Sequence, residues 1–104
     1  MAWHDIAAIE DIPAGRGWPV RALGHKIVVY LIDEKVYALE NRCVHNGNPI
    51  DDGPVEEGIV TCPWHGWTYD VTTGEQLTMW GKVRGLATWP AKAEGGRILV
   101  DVEA

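Results

Sequence analysis

Lys26-Ile27-Val28-Val29-Tyr30-Leu31-Ile32-Asp33-Glu34-Lys35-Val36-Tyr37-Ala38-Leu39 is the stretch that decides the fold class. Its first seven residues are mostly β-branched or aromatic, the side chains that suit a pleated surface. Asp33-Glu34 makes a tight turn, and Lys35-Val36-Tyr37-Ala38-Leu39 runs back, so a β-hairpin is predicted. Outward from it the same signals recur. Residues 59–61 and 67–70 read as short strands, the second ending in the turn Thr72-Thr73-Gly74-Glu75. Residues 86–89 and 97–102 flank Glu94-Gly95-Gly96 and are predicted to form a second hairpin on those glycines. Weaker strand signals lie at residues 3–6 and 20–23. No amphipathic run supports a full helix, although residues 7–11 suit one turn before Pro13-Ala14-Gly15. The expected fold is all-β: a small antiparallel sandwich or barrel.

A chain of 104 residues is a single domain, 1–104, with 12 Gly and 6 Pro scattered rather than gathered into a linker. Nothing approaches twenty consecutive apolar residues, so no membrane partner is expected. Met1-Ala2-Trp3-His4-Asp5 lacks the basic start and apolar run of a secretory signal, which points to the cytoplasm. The net charge of −6 argues against nucleic acid. Glu34, Asp51, Asp52, Glu56, Glu57 and Asp101 are spread along the chain and read as a solvated surface, part of which would steer docking onto a basic partner.

The chemistry is concentrated in two short segments. Cys43-Val44-His45 is followed, sixteen residues later, by Cys62-Pro63-Trp64-His65, which uses both cysteines and half of the four histidines. Each segment offers a thiolate and an imidazole, so the residue types alone describe a metal site. Zinc usually takes homogeneous pairs, Cys-x(2–4)-Cys with His-x(3–5)-His, whereas these pairs are mixed. A structural zinc domain without redox function remains as an alternative. Asn46-Gly47-Asn48-Pro49 and Gly66 surround the segments with turns, which suit backbone N–H groups aimed at an anionic cluster. No Cys-x-x-Cys is present for thiol redox chemistry.

The order Cys-x-His-x(16)-Cys-x-x-His resembles the Rieske 2Fe–2S pattern, in which one iron takes two Cys and the other two His. Cys-Pro-Trp-His-Gly-Trp-Thr-Tyr-Asp at 62–70 is similar to the second loop of Rieske proteins that serve oxygenases, and residues 86–102 resemble the closing hairpin of small Rieske ferredoxins. The resemblance implies one 2Fe–2S cluster, with Cys43 and Cys62 on one iron and His45 and His65 on the other. It implies a monomeric one-electron carrier rather than an enzyme. Such a carrier takes electrons from a flavin-containing, NAD(P)H-dependent reductase and passes them to a terminal oxygenase acting on aromatic compounds. His45 and His65 would be the exit, with Trp64 at the rim touching partners. A rival reading is the small subunit of a larger oxidoreductase such as an assimilatory nitrite reductase, or an oxygenase's Rieske domain on its own. The natural start and end of the chain and the lack of a second iron site weigh against the isolated domain.

Two thiolates bring the oxidised cluster to zero charge, and reduction takes it to −1 rather than the −3 of a reduced all-cysteine cluster. Reduction is therefore easier than in plant-type ferredoxins. High-potential relatives add a disulfide between the two loops; here Val44 and Asn46-Gly47-Asn48-Pro49 include no cysteine, and Trp64 stands where the second would be. They also carry a Ser and a Tyr hydroxyl two and four residues after the second His, where this chain has Trp67 and Tyr69. One donor toward sulfur is kept and one lost, so the potential is expected at the low end of the family, roughly −150 mV. The lid segment after the second loop lacks its usual prolines, and Trp80 would shield the cluster instead. Asn46, where oxygenase subunits often have Arg, favours a free-standing carrier. Trp3, Trp18 and Trp89 are expected in or half in the core, and His4 and His25 at the surface.

Overall fold

The computed structural model describes residues 3–13, 15–43, 47–64, 66–78 and 85–102. Ten strands form three antiparallel sheets: β1 (Trp3–Ala8), β2 (Trp18–Ala22), β3 (His25–Ile32), β4 (Lys35–Glu40), β5 (Val55–Glu56), β6 (Ile59–Thr61), β7 (Thr68–Asp70), β8 (Thr88–Trp89), β9 (Ala91–Glu94) and β10 (Arg97–Asp101). The sheet orders are β1-β10-β9, β2-β3-β4-β8 and β5-β6-β7. A 3-10 turn at Ile9–Asp11 is the only helical element among the described residues.

The hairpin read first from the sequence is the centre of the molecule. Strand alternation sends Val28, Tyr30 and Leu39 to one face, where they meet Val60 and Tyr69 of the third sheet. Ile27, Val29, Val36 and Ala38 go to the other face, against Ile98 and Val100 of the first sheet. Ile27 through Tyr30 are all buried because the middle sheet is covered on both sides. That double covering explains why the segment is continuously apolar rather than alternating. The expected sandwich is present, with a third small sheet laid on its outer face.

Four hairpins turn on two residues each, and both residues of every turn have positive φ: Leu23-Gly24, Asp33-Glu34, Glu57-Gly58 and Gly95-Gly96. Such turns match the right-handed strand twist, which outweighs the cost of placing Leu, Asp and Glu there. Two of the four, at 23–24 and 57–58, escaped the sequence reading, as did β5. The closing hairpin differs from expectation as well. Its first arm is Ala91–Glu94, paired with Arg97–Asp101, whereas Thr88–Trp89 pairs with β4 in the middle sheet. Pro90 separates the two short strands, and Ala-Lys-Ala-Glu has little intrinsic β preference, so β9 forms because β10 offers it a partner.

Trp3 and Trp89 are half-buried as expected, Trp3 under the Lys92 ammonium at 4.4 Å and Trp89 against His25 at 5.3 Å. Trp18 is exposed instead, on the outer strand β2. His25 is at the surface, but His4 is half-buried opposite Val100, with its Nε2 out of contact with solvent. Asp101 departs from the solvated-surface reading: it is buried.

Candidate metal centre

Cys43 lies just after β4, in the connection that leaves the middle sheet for β5 of the third. Cys62 follows β6 directly, in the loop that returns as β7. The two cysteines are not joined as a disulfide; both are buried, and both belong to one core cluster with Val60, Tyr69 and Leu86. His45, His65 and Trp80 lie outside the described residues, as do Val44 and Asn46.

The two cysteine loops are closed in the same way. Cys43 N–H donates to Asn48 O at 2.7 Å and Gly47 N–H to Cys43 O at 2.7 Å. In the second loop Cys62 N–H donates to Trp67 O at 2.7 Å and Gly66 N–H to Cys62 O at 3.1 Å. Each loop therefore spans six residues, with a glycine four places after the cysteine, and both glycines have φ of 76°. A side chain at that angle is strained, so glycine is the residue the bend needs. The sequence reading noted both glycines as turn signals without seeing that they are equivalent.

Tyr69 ties the second loop's strand to the first loop's cysteine. It is fully buried on β7, with its hydroxyl 3.3 Å from Cys43 Sγ. A thiolate at Cys43 would accept that O–H, a charge-assisted bond in a dry setting. Trp67 is half-buried and packs against the same cluster. Trp64, by contrast, is 59% exposed, although it lies only two residues after a buried cysteine.

Asn41 is a site residue the sequence reading missed. It is buried at the end of β4, and its Oδ1 accepts Ile50 N–H at 2.8 Å and Asp51 N–H at 3.2 Å, while its Nδ2 donates to Asp51 Oδ1 at 2.9 Å. One amide side chain thus pins the chain on the far side of the first loop to the strand before it. The available signal was slight, a small uncharged polar residue between Glu40 and Arg42 just ahead of a cysteine. On the other flank Gln76 bridges to Tyr69, and Leu77 N–H donates to Thr68 O at 2.8 Å, so the segment after the second loop runs alongside β7.

The arrangement holds two buried thiols, not joined as a disulfide, with a hydroxyl donor beside one of them, on two loops of matched geometry. Soft thiolate ligands brought together this way suit an iron–sulfur cluster, and a neighbouring O–H would stabilise charge on sulfur.

Residues 2–90 match the family model of the Rieske [2Fe-2S] domain. The chain is 33% identical over 101 residues to the ferredoxin component of the naphthalene 1,2-dioxygenase/salicylate 5-hydroxylase systems of a Ralstonia species, covering 97% of this chain and 96% of that one. Its fold is similar to the ferredoxin of carbazole 1,9a-dioxygenase from Nocardioides aromaticivorans IC177, with a TM-score of 0.85, 25% identity and coverage of 96% and 97%. It is also similar to a structure described as a putative nitrite reductase small subunit, with a TM-score of 0.86 over 98% and 100% of the two chains, at 17% identity.

Proposed function

The chain belongs to the Rieske [2Fe-2S] domain family, and from that premise we propose that it is the ferredoxin component of an aromatic-ring dioxygenase system. In this reading Cys43 and Cys62 hold one iron of a single cluster, and His45 and His65 hold the other. When bound, the cluster supplies one-electron redox chemistry at a potential set by its ligands and surroundings. The chain's own residues do the rest. Tyr69 donates to Cys43 Sγ and favours the more negative state, Trp67 keeps water from the cysteines, and the two glycine-closed loops hold the thiolates apart from solvent. Trp64 presents an exposed aromatic surface beside the second ligand pair, where a redox partner would dock.

The observation that carries this reading is the burial of both cysteines in one cluster, with a tyrosine hydroxyl at 3.3 Å from one of them. The partners are a flavin-containing NAD(P)H reductase and a terminal oxygenase, met one at a time by a monomer in the cytoplasm. No described helix is long and apolar enough to cross a membrane. Likeness to the nitrite reductase small subunit extends to the fold alone at 17% identity, so the carrier reading is preferred.

Reconstitution tests it. The protein is combined with the reductase and oxygenase encoded beside its gene, and oxidation of NAD(P)H coupled to hydroxylation of an aromatic substrate is followed. Turnover that requires all three components supports a carrier. Permanent co-purification with a sirohaem subunit, with no turnover in the oxygenase assay, would replace it by the small-subunit reading.

A further inference from the structure

Arg21 and Lys26 stand directly opposite one another across β2 and β3, on the face of the sheet that also carries Val28 and Tyr30. Both are exposed, and among the described residues neither makes an ion pair. Like charges at directly opposed positions destabilise a sheet. The pair lines a hollow of about 290 Å³ whose other walls are Pro19, Val20, Asn41, Gly47 and Pro49. Gly47 and Pro49 belong to the connection that starts at Cys43, so the two cations lie beside the first cysteine loop. A second hollow shares Lys26 and Gly47 and adds His25 and Arg42, and Arg42 is only loosely engaged by Glu40 at 3.9 Å. Elsewhere, Arg16, Arg97 and Lys92 are each matched with a carboxylate.

A chain of net charge −6 thus keeps a local positive spot next to its redox centre. A single cation would be enough to protect an outer strand from pairing with another strand. Two directly opposed cations exceed that need. We propose that this hollow is a docking site for carboxylate side chains on the surface of a redox partner protein, engaged while its acceptor or donor faces the cysteine loops. The inference rests on the carrier reading and adds the charge of the partner surface. The sequence alone suggested acidic steering toward a basic partner; near the first loop the sign is reversed. A partner protein fits better than a small free anion, because both cations are exposed and the two side chains provide no enclosing cradle of N–H donors. Opposite charge at the contact raises the rate of encounter and orients the pair.

The test uses the cluster-loaded, dithionite-reduced protein and two small oxidants of opposite charge, ferricyanide and hexaammineruthenium(III). Each reaction moves one electron from the reduced protein to the oxidant, giving ferrocyanide or hexaammineruthenium(II), with no bond made or broken. In R21Q/K26Q, the ferricyanide rate at low ionic strength is expected to fall about tenfold, while the ruthenium rate stays the same or rises. The difference should vanish at about 0.5 M salt. An unchanged ferricyanide rate overturns the proposal, and so does a parallel change with both oxidants, which would signal an altered potential. Competition by millimolar phosphate at constant ionic strength would replace the protein partner by a small-anion site. If the double variant fails to hold its cluster, R21Q and K26Q are measured singly, each expected to lose about threefold against ferricyanide alone. Neither reductase nor oxygenase takes part, so failure here is distinct from failure of the three-component turnover.

Discussion

The two cysteine loops share a backbone plan and differ in what supports it. Each is closed by the same pair of N–H···O bonds around a glycine at φ 76°. The second loop joins β6 to β7, strands already paired through Thr61 and Thr68, so the ladder itself holds its ends together. The first loop leaves one sheet and enters another, and no ladder closes it. Asn41 does that work with three side-chain bonds, and Tyr69 reaches across from the second loop's strand to its cysteine. A metal site built from two loops needs both held at a fixed separation. A hairpin provides this through its strands, and a crossover needs buried polar side chains to do the same.

The sharpest way to break that comparison is Asn41→Ala. It leaves the buried N–H of Ile50 and the part-buried N–H of Asp51 without their acceptor, a loss of about 2–3 kcal/mol. Urea unfolding of the loaded protein, followed by its visible absorption, should show a lower midpoint and faster cluster loss. Gly47→Ala and Gly66→Ala test the symmetry instead. Each places a side chain in the left-handed region with room around it, so each should cost about 1–2 kcal/mol and the two should agree closely. A large inequality would show that the loops are not equivalent in energy. Tyr69→Phe keeps the buried ring and removes one donor to Cys43. At about 1 kcal/mol for such a bond the midpoint potential should drop by roughly 40 mV, read by redox titration, with little change in stability. Smallest of all in stability is Trp64→Ala, which should leave unfolding within about 0.5 kcal/mol of the parent because the side chain is exposed. Its effect should appear only as slower reduction of the oxygenase in stopped-flow mixing.

Much of this was legible in the residues, for identifiable reasons. The hairpin at 26–39 was plain because both of its strands are β-branched or aromatic and its turn has no competing reading. The cysteine–histidine spacing was plain because so few residue types bind metal. Tyr69 was placed by its distance from the second histidine, and its contact with Cys43 ties β7 to the first loop. What escaped depends on contacts distant in sequence. β9 is built from Ala, Lys and Glu and exists because β10 pairs with it. Asn41 looks like an ordinary loop residue until Ile50 and Asp51 fold back onto it. Arg21 and Lys26 are unremarkable charges until the register of β2 and β3 sets them side by side next to Gly47.

The central claim is that Cys43, His45, Cys62 and His65 together hold one cluster. Iron and acid-labile sulfide analysis of the purified protein, with electron paramagnetic resonance after dithionite reduction, tests it in the parent and in His45→Ala and His65→Ala. The account predicts about two irons and two sulfides per chain and a Rieske-type signal that disappears in both variants. One zinc without sulfide, or a variant that keeps the signal, would contradict it.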